Sequence, residues 1–189
     1  MVTDVAAKRF TVDEFQRMAE AGVFGEDDRL ELLDGEIIQM NPAGRRHVAT
    51  VNRLTRLFAR VFGDRVLLSV QNPIVLDPHA EPQPDMVLLR PRAGDYEDAL
   101  PTGIDTYLVV EVSENTLHYD TTRKVRAYAS GGIGAVWVVA LGKTPARDRV
   151  IVFEDPFAGA YRSRREVRRG DVLAIPDLSE LSIAVSDFL

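Results

Sequence analysis

The chain has 189 residues, 46% of them hydrophobic, which is enough to bury one sizeable core, so we expect a single domain over residues 1–189. It contains no cysteine, which excludes disulfides and thiolate metal sites and permits a reducing compartment. The net charge of −6, from 23 basic and 29 acidic residues, argues against a surface that grips a polyanion on every side. A local basic face beside an acidic cleft stays compatible with it.

Two kinds of apolar segment are absent from the sequence. No run has the length of a membrane span, and residues 1–8 contain no apolar signal-peptide core. We therefore expect a soluble, cytoplasmic protein that has no membrane partner.

Two helices are predicted in the first third of the chain. The first begins after Thr11, whose hydroxyl can cap it while Glu14 returns the contact. The second has apolar residues at helical spacing from Val48 to Phe62. His47 lies in its first turn, where a histidine is either a solvated or capping residue or part of an active site.

A β-hairpin is predicted between these helices. The alternating runs 29–33 and 36–40 are joined by Asp34-Gly35, a strong two-residue hairpin signal. Counting outward from the turn pairs Glu31 with Ile38 and puts Glu31 opposite the apolar face.

Further strands are predicted at residues 66–70, 74–76 and 86–89. Asp85 follows a proline at the start of the last one and shares a face with Val87 on alternation. An aspartate after proline is equally typical of a turn. A polar connection over residues 91–106 is long enough to be a flexible loop beside a cleft.

One carboxylate lies in the middle of the apolar strand predicted over residues 107–113. Glu111 shares its face with Val109 on alternation. Burying an isolated carboxylate is costly, so a charge here indicates a cation, a strong donor set or a water-filled cleft. The alternative is a strand-edge glutamate that reaches solvent or pairs with an arginine.

The next segments predict a strand–helix–strand crossover. A helix is predicted over residues 119–130, followed by an apolar strand over 135–141. Asp120 and Lys124 are one turn apart on this helix, a spacing that commonly gives a weak surface ion pair. Short strands and turns are predicted for 149–154, 160–163, 166–168 and 181–185.

Two strands that each carry an inward acid, followed by a helix that carries a lysine, suggest phosphodiester chemistry. Two carboxylates can hold a hard cation such as Mg²⁺, which keeps several waters and accepts a phosphate oxygen. The cation activates water and offsets charge on the phosphate. A lysine ammonium within reach can orient the water or stabilise transition-state charge.

Pro84-Asp85, followed by Glu111-Val112-Ser113, resembles the PD-(D/E)XK nuclease superfamily, whose third motif is an acid, any residue and a lysine. Ser113 occupies the lysine position here. In the Uma-two family of restriction-endonuclease-like proteins the lysine has moved to the following helix, and Lys124 fits that variant. The resemblance covers most of the chain, although Ala140 ends a strand where the family tends to show an aspartate.

The resemblance implies an α/β (α+β) fold. Its restriction-endonuclease-like core has a central mixed β-sheet flanked by helices, with an N-terminal helix and β-hairpin added. It implies a metal-dependent endonuclease that acts on DNA, forms a homodimer and uses Mg²⁺, or alternatively Mn²⁺, held by Asp85 and Glu111. The implied catalytic set is Asp85, Glu111 and Lys124, with Glu31 and Gln71 as supporting candidates and Asp120 as a residue that holds Lys124.

Two other hypotheses are open. One is a non-catalytic or regulatory dimer that keeps the nuclease fold and binds nucleic acid or protein; the other is a small binding domain whose charges are structural. The second predicts no response to divalent ions. A group of arginines near the C-terminus is compatible with phosphate tracking but more typical of a solvated hairpin face: Arg162, Arg164, Arg165, Arg168 and Arg169.

Overall fold

A six-stranded mixed sheet forms the centre of the protein, here a computed structural model that describes residues 5–25 and 27–189. Its strand order is β3-β4-β5-β6-β7-β8. The strands are β3 (Leu67–Val70), β4 (Met86–Leu89), β5 (Thr106–Ser113), β6 (Ala135–Ala140), β7 (Arg149–Phe157) and β8 (Ala160–Val167). Strands β5 and β6 are parallel, and the other neighbours are antiparallel. The parallel pair is joined by the predicted helical crossover.

Both faces of the sheet are covered. The long helix α2 (Arg45–Phe62) packs on one face together with alternate residues of β5, such as Val110 and Val112. The crossover covers the other face with α3 (Leu117–Tyr119), a π-helical segment (Asp120–Lys124) and α4 (Val125–Ser130). Because β5 alternates, Val109 and Glu111 point towards the crossover side.

The N-terminal elements follow their sequence signals closely. Helix α1 (Val12–Glu20) has the predicted capping box between Thr11 and Glu14. The hairpin strands β1 (Leu30–Leu33) and β2 (Glu36–Gln39) pair in the predicted register, with Glu31 opposite Ile38. The hairpin is therefore set by its Asp34-Gly35 turn, in which both residues have positive φ.

The C-terminal strands β9 (Val172–Ala174) and β10 (Ser182–Ala184) form a separate antiparallel pair. Residues from this region, including Leu173, Ile183 and Phe188, enter the same core cluster as α2. None of the helices built from the described residues combines the length and apolar character needed to cross a bilayer.

Three predicted elements are wrong in detail. Residues 74–76 do not form a strand, because the segment makes only a single bridge, from Val75 to Thr102. The strands predicted at 160–163 and 166–168 are one continuous strand, β8, since the whole segment pairs with β7. The predicted helix 119–130 begins at Leu117 and contains a π-helical turn that its apolar periodicity did not indicate.

Candidate active site

Asp85 and Glu111 lie opposite each other on the same face of the sheet. The antiparallel register of β4 and β5 pairs Met86 with Val110. Asp85 precedes Met86 and Glu111 follows Val110, so these two acids face each other across the strand pair. Their exposed fractions are 7% for Asp85 and 3% for Glu111. This register agrees with the shared face that strand alternation predicted for Asp85 and Glu111.

Lys124 brings a buried cation to this pair. Its Nζ lies 2.7 Å from Glu111 Oε1 and 3.2 Å from Glu31 Oε2, and the residue is 1% exposed. Glu31 is equally buried, and its Oε2 also accepts the backbone N–H of Gln83 at 3.1 Å. The hairpin thus delivers a second acid to the lysine.

The predicted surface ion pair between Asp120 and Lys124 is wrong. Asp120 Oδ2 instead accepts the hydroxyls of Ser113 at 2.6 Å and Thr116 at 2.5 Å. Lys124 is turned into the core because the π-helical turn shifts it away from ordinary i, i+4 alignment with Asp120. Asp120 therefore fixes the start of the crossover and does not hold the lysine directly.

Two tyrosines of the crossover complete the acid–lysine cluster. The Tyr128 hydroxyl donates to Glu111 Oε1, and the Tyr119 hydroxyl donates to Glu31 Oε1 at 2.9 Å. Burial raises the pKa of both phenols, and the neighbouring glutamates raise it further. Both hydroxyls consequently stay protonated and act as donors.

His47 and a backbone amide hold Asp85. His47 Nε2 lies 3.0 Å from Asp85 Oδ2, and the same oxygen accepts the Val112 N–H at 2.8 Å. The neighbouring Arg46 anchors the start of α2 with a two-pronged contact to Asp148, at 2.9 and 2.8 Å. This anchor fixes the first turn of the helix and with it His47.

The two strand carboxylates differ in pKa. Burial would raise the pKa of Asp85, but the hydrogen bond and charge of His47, the Val112 N–H and the charge of Lys124 bring it below the ordinary value. Burial raises the pKa of Glu111 to about 8 in spite of Lys124. The pKa of Lys124 is well above its ordinary value, because its carboxylate neighbours outweigh the effect of burial. Asp85 and Lys124 are therefore charged at neutral pH, whereas the raised pKa of Glu111 favours its protonated form.

The acids and the lysine of this cluster face one cavity of about 570 Å³. Asp85, Glu111, Glu31 and Lys124 line it, as do His47 and Tyr119. Among the described residues no group of three or more acidic or histidine side chains is arranged to hold a metal ion. Two carboxylates in a cavity that admits water nevertheless fit Mg²⁺, which takes one or two protein carboxylates and keeps several waters.

Of the site residues predicted from the sequence, Gln71 has the weakest contact with the site. Its Nε2 is 3.5 Å from Asp85 Oδ1, at the outer limit of a hydrogen bond, and it is not on the cavity wall. It has a positive φ of 55°, a conformation uncommon outside glycine and asparagine. Gln71 is therefore at most a weak support for Asp85.

The C-terminal arginines lie away from this cavity. Four of them form ion pairs with acids of β7 and β8: Arg162 with Asp155, Arg164 with Glu166, Arg165 with Glu154, and Arg168 with Glu166. This pattern is typical of the solvated hairpin face.

Sequence reasoning missed the two tyrosines and weighed His47 only as one alternative. Tyr128 is four residues beyond Lys124, and that helical spacing was a usable signal for a shared face. Nothing local indicated Tyr119, since its partner Glu31 lies far away in the sequence.

Comparisons with known proteins are consistent with this architecture. The model of the Uma2 (Uma-two) family, described as “Putative restriction endonuclease”, matches residues 12–186. A solved structure described as a “putative nuclease” from Anabaena variabilis is similar with a TM-score of 0.74 and 16% identity, over 95% of this chain and 97% of that one. That likeness confirms the predicted fold, a mixed sheet flanked by helices. No curated protein matches the sequence.

Proposed function

The chain belongs to the Uma2 family, and from that premise we propose that it is a metal-dependent endonuclease that hydrolyses DNA phosphodiester bonds. The observation that carries the proposal is the convergence of Asp85, Glu111 and the buried Lys124 on one cavity. A buried cluster of unlike charges whose carboxylate pKa values differ is typical of a functional site.

Asp85 and Glu111 are the residues that would hold the cation, Mg²⁺ or alternatively Mn²⁺. When bound there, such an ion supplies polarisation of the phosphate and neutralisation of its charge. Asp85 is prepared for this role, because His47 and the Val112 N–H keep it ionised. Glu111 must lose its proton to bind the cation. The Tyr128 hydrogen bond and the Lys124 ammonium stabilise the carboxylate that results.

Lys124 is proposed to stabilise negative charge on the phosphate during hydrolysis or to orient the attacking water. Glu31 is proposed as a positioning residue, since its carboxylate contacts the same ammonium that Glu111 contacts. A pre-positioned cation that is almost fully buried acts more strongly than one in bulk water.

The alternative is a non-catalytic or regulatory dimer that binds nucleic acid or protein with the same fold. One observation favours it: Glu111 Oε1 is already engaged by both Lys124 and Tyr128, so a cation has to compete for this carboxylate. We also propose a homodimer and a cytoplasmic location, which light scattering and cell fractionation would test.

Incubation of purified protein with supercoiled and linear DNA tests the proposal. We expect cleavage with Mg²⁺ or Mn²⁺ and none with a chelator. Metal-independent cleavage would contradict the proposed metal dependence, and intact DNA under every condition would favour the non-catalytic alternative.

A further inference from the structure

The candidate active site lies at the floor of its cavity. Asp85, Glu111 and Lys124 are at most 7% exposed, whereas Asn41 and Asn115 at the rim are exposed. A phosphate must therefore pass below the rim before it meets the two carboxylates.

Two chain segments contribute most of the rim. Residues 38–44 lead from the hairpin into α2, and residues 114–119 follow β5 and include the first helix of the crossover. The cavity is open on one side, and its volume of about 570 Å³ lies within the range of roughly 300–1,000 Å³ found for small-ligand sites. A cavity of this volume can hold one nucleotide and parts of the adjoining nucleotides, but it is too small to hold stacked base pairs.

An intact double helix is difficult to lower into such a depression. Each sugar–phosphate backbone of B-form DNA is bordered by the major groove on one side and the minor groove on the other. The two rim segments would have to enter these grooves, and the minor groove is only about 6 Å wide. A single strand has no such obstacle.

The side chains of the cavity wall suit an unpaired strand. Tyr119 lines the cavity, and its hydroxyl is fixed by the bond to Glu31. Arg29 and His118 line the same cavity. Aromatic faces combined with cationic groups are the usual means by which proteins bind single-stranded nucleic acid, through base stacking and phosphate contacts.

We propose that the site takes single-stranded DNA, or a strand splayed from a duplex, in preference to an intact double helix. This inference rests on the proposed function and specifies its substrate class. Strand separation is needed because the buried carboxylates are reached only below the rim.

A forked oligonucleotide with one paired half and one unpaired half tests the inference. Wild-type protein with Mg²⁺ or Mn²⁺ is expected to cut the unpaired half at least about tenfold faster, because unpairing and unstacking a base costs a few kcal/mol. Equal or faster cutting of the paired half would overturn the inference and leave the endonuclease proposal intact.

A DNA-binding measurement tests the single-strand preference separately if no DNA is cut. The Glu111→Gln variant with Mg²⁺ is titrated against a labelled single strand and against its duplex, and fluorescence anisotropy is measured. Tighter binding of the single strand supports the inference even if the proposed hydrolysis fails. Equal binding or a preference for the duplex overturns it.

A rim variant tests the route of entry. Asn115→Trp places a bulky side chain at the cavity entrance and should slow cleavage of the unpaired strand at least about tenfold, since a misplacement of about 1 Å can cost about 10²-fold in rate. The control is Ser179→Trp, at an exposed position outside the cavity. Equal rates for the two variants, at matched melting temperatures, would contradict entry past this rim.

Discussion

Lys124 is a buried cation whose ammonium is shared by two carboxylates. Its replacement by alanine removes one partner from a buried ion-pair network, so we expect Lys124→Ala to lower the free energy of unfolding by about 3–5 kcal/mol. The exposed Lys143→Ala is the control and should stay within about 0.5 kcal/mol of wild type. Urea denaturation measures both, and a loss below about 1 kcal/mol for Lys124→Ala would indicate a solvent-exposed pair instead.

Glu111 predicts a pH dependence of stability. Its pKa of about 8 in the folded protein exceeds the ordinary value of 4.5, so the folded state keeps a proton that the unfolded chain has already released. The stability that this group contributes is complete below about pH 4.5 and is lost as pH rises through about 8. Without metal, the stability of wild type relative to Glu111→Gln should therefore fall over this interval. A constant difference between the two proteins would contradict the raised pKa.

At the residue scale the sequence predicted that Asp85 and Glu111 share a sheet face, because alternation along two strands determines which side chains point the same way. It did not predict the partners of Lys124. Glu31 approaches from a distant hairpin, and Ser113 and Thr116 take the hydrogen bonds of Asp120 that an exposed helix would leave for the lysine. Long-range packing decided both outcomes.

The β1–β2 hairpin positions Glu31 and depends on its turn. Gly35 has a φ of 71°, and a Cβ there would lie 2.8 Å from Arg9 Cβ. We expect Gly35→Ala to lower the free energy of unfolding by about 1–3 kcal/mol. The matched control is Gly134→Ala, whose Cβ meets no atom within 4 Å. Chemical denaturation should separate the two variants, and equal stabilities would show that the turn is not restrictive.

The π-helical segment Asp120–Lys124 sets which residues of the crossover reach the acids. Deletion of Thr122 should restore α-helical spacing and rotate one side of the helix by about 100°, so that Tyr119 and Lys124 no longer reach their glutamates together. The deletion should keep the helical circular-dichroism signal and lower the melting temperature, while Thr122→Ala should change it little. An unchanged melting temperature after the deletion would contradict this role.

The β1–β2 hairpin and the π-helical segment differ in how far the local sequence determines their structure. The hairpin register followed from the Asp34-Gly35 turn alone, because a two-residue loop fixes which residues pair. The π-helical turn leaves the apolar spacing of a helix almost unchanged, and its residues bond to distant groups such as Glu31 and Glu111. Only tertiary contacts distinguish it from an ordinary helix.

At the scale of the whole molecule, we propose that residues 1–189 form one domain. Both core clusters are built on the same six-stranded sheet, and the C-terminal strands pack into the cluster that contains α2. Hydrophobic patterning made this architecture predictable, whereas the cavity depends on how the hairpin, the start of α2 and the crossover meet.

Metal binding should stabilise the whole fold. A ligand that binds the native state alone adds about 2.7 kcal/mol at one hundred times its dissociation constant. Millimolar Mg²⁺ or Mn²⁺ should therefore raise the melting temperature of wild type and have little effect on Glu111→Gln. Identical shifts in the two proteins would place the bound ion elsewhere.

DNA cleavage by wild type and by Glu111→Gln is the most direct test of a nuclease site built on Asp85, Glu111 and Lys124. Glutamine matches the protonated glutamate in shape and leaves Lys124 paired with Glu31, so the variant should stay folded and differ mainly in charge. At matched melting temperatures with saturating Mg²⁺, we expect chelator-sensitive cleavage by wild type and a loss of at least about 10²-fold in the variant. Equal cleavage by the two proteins, or none by wild type on any DNA, would contradict the account.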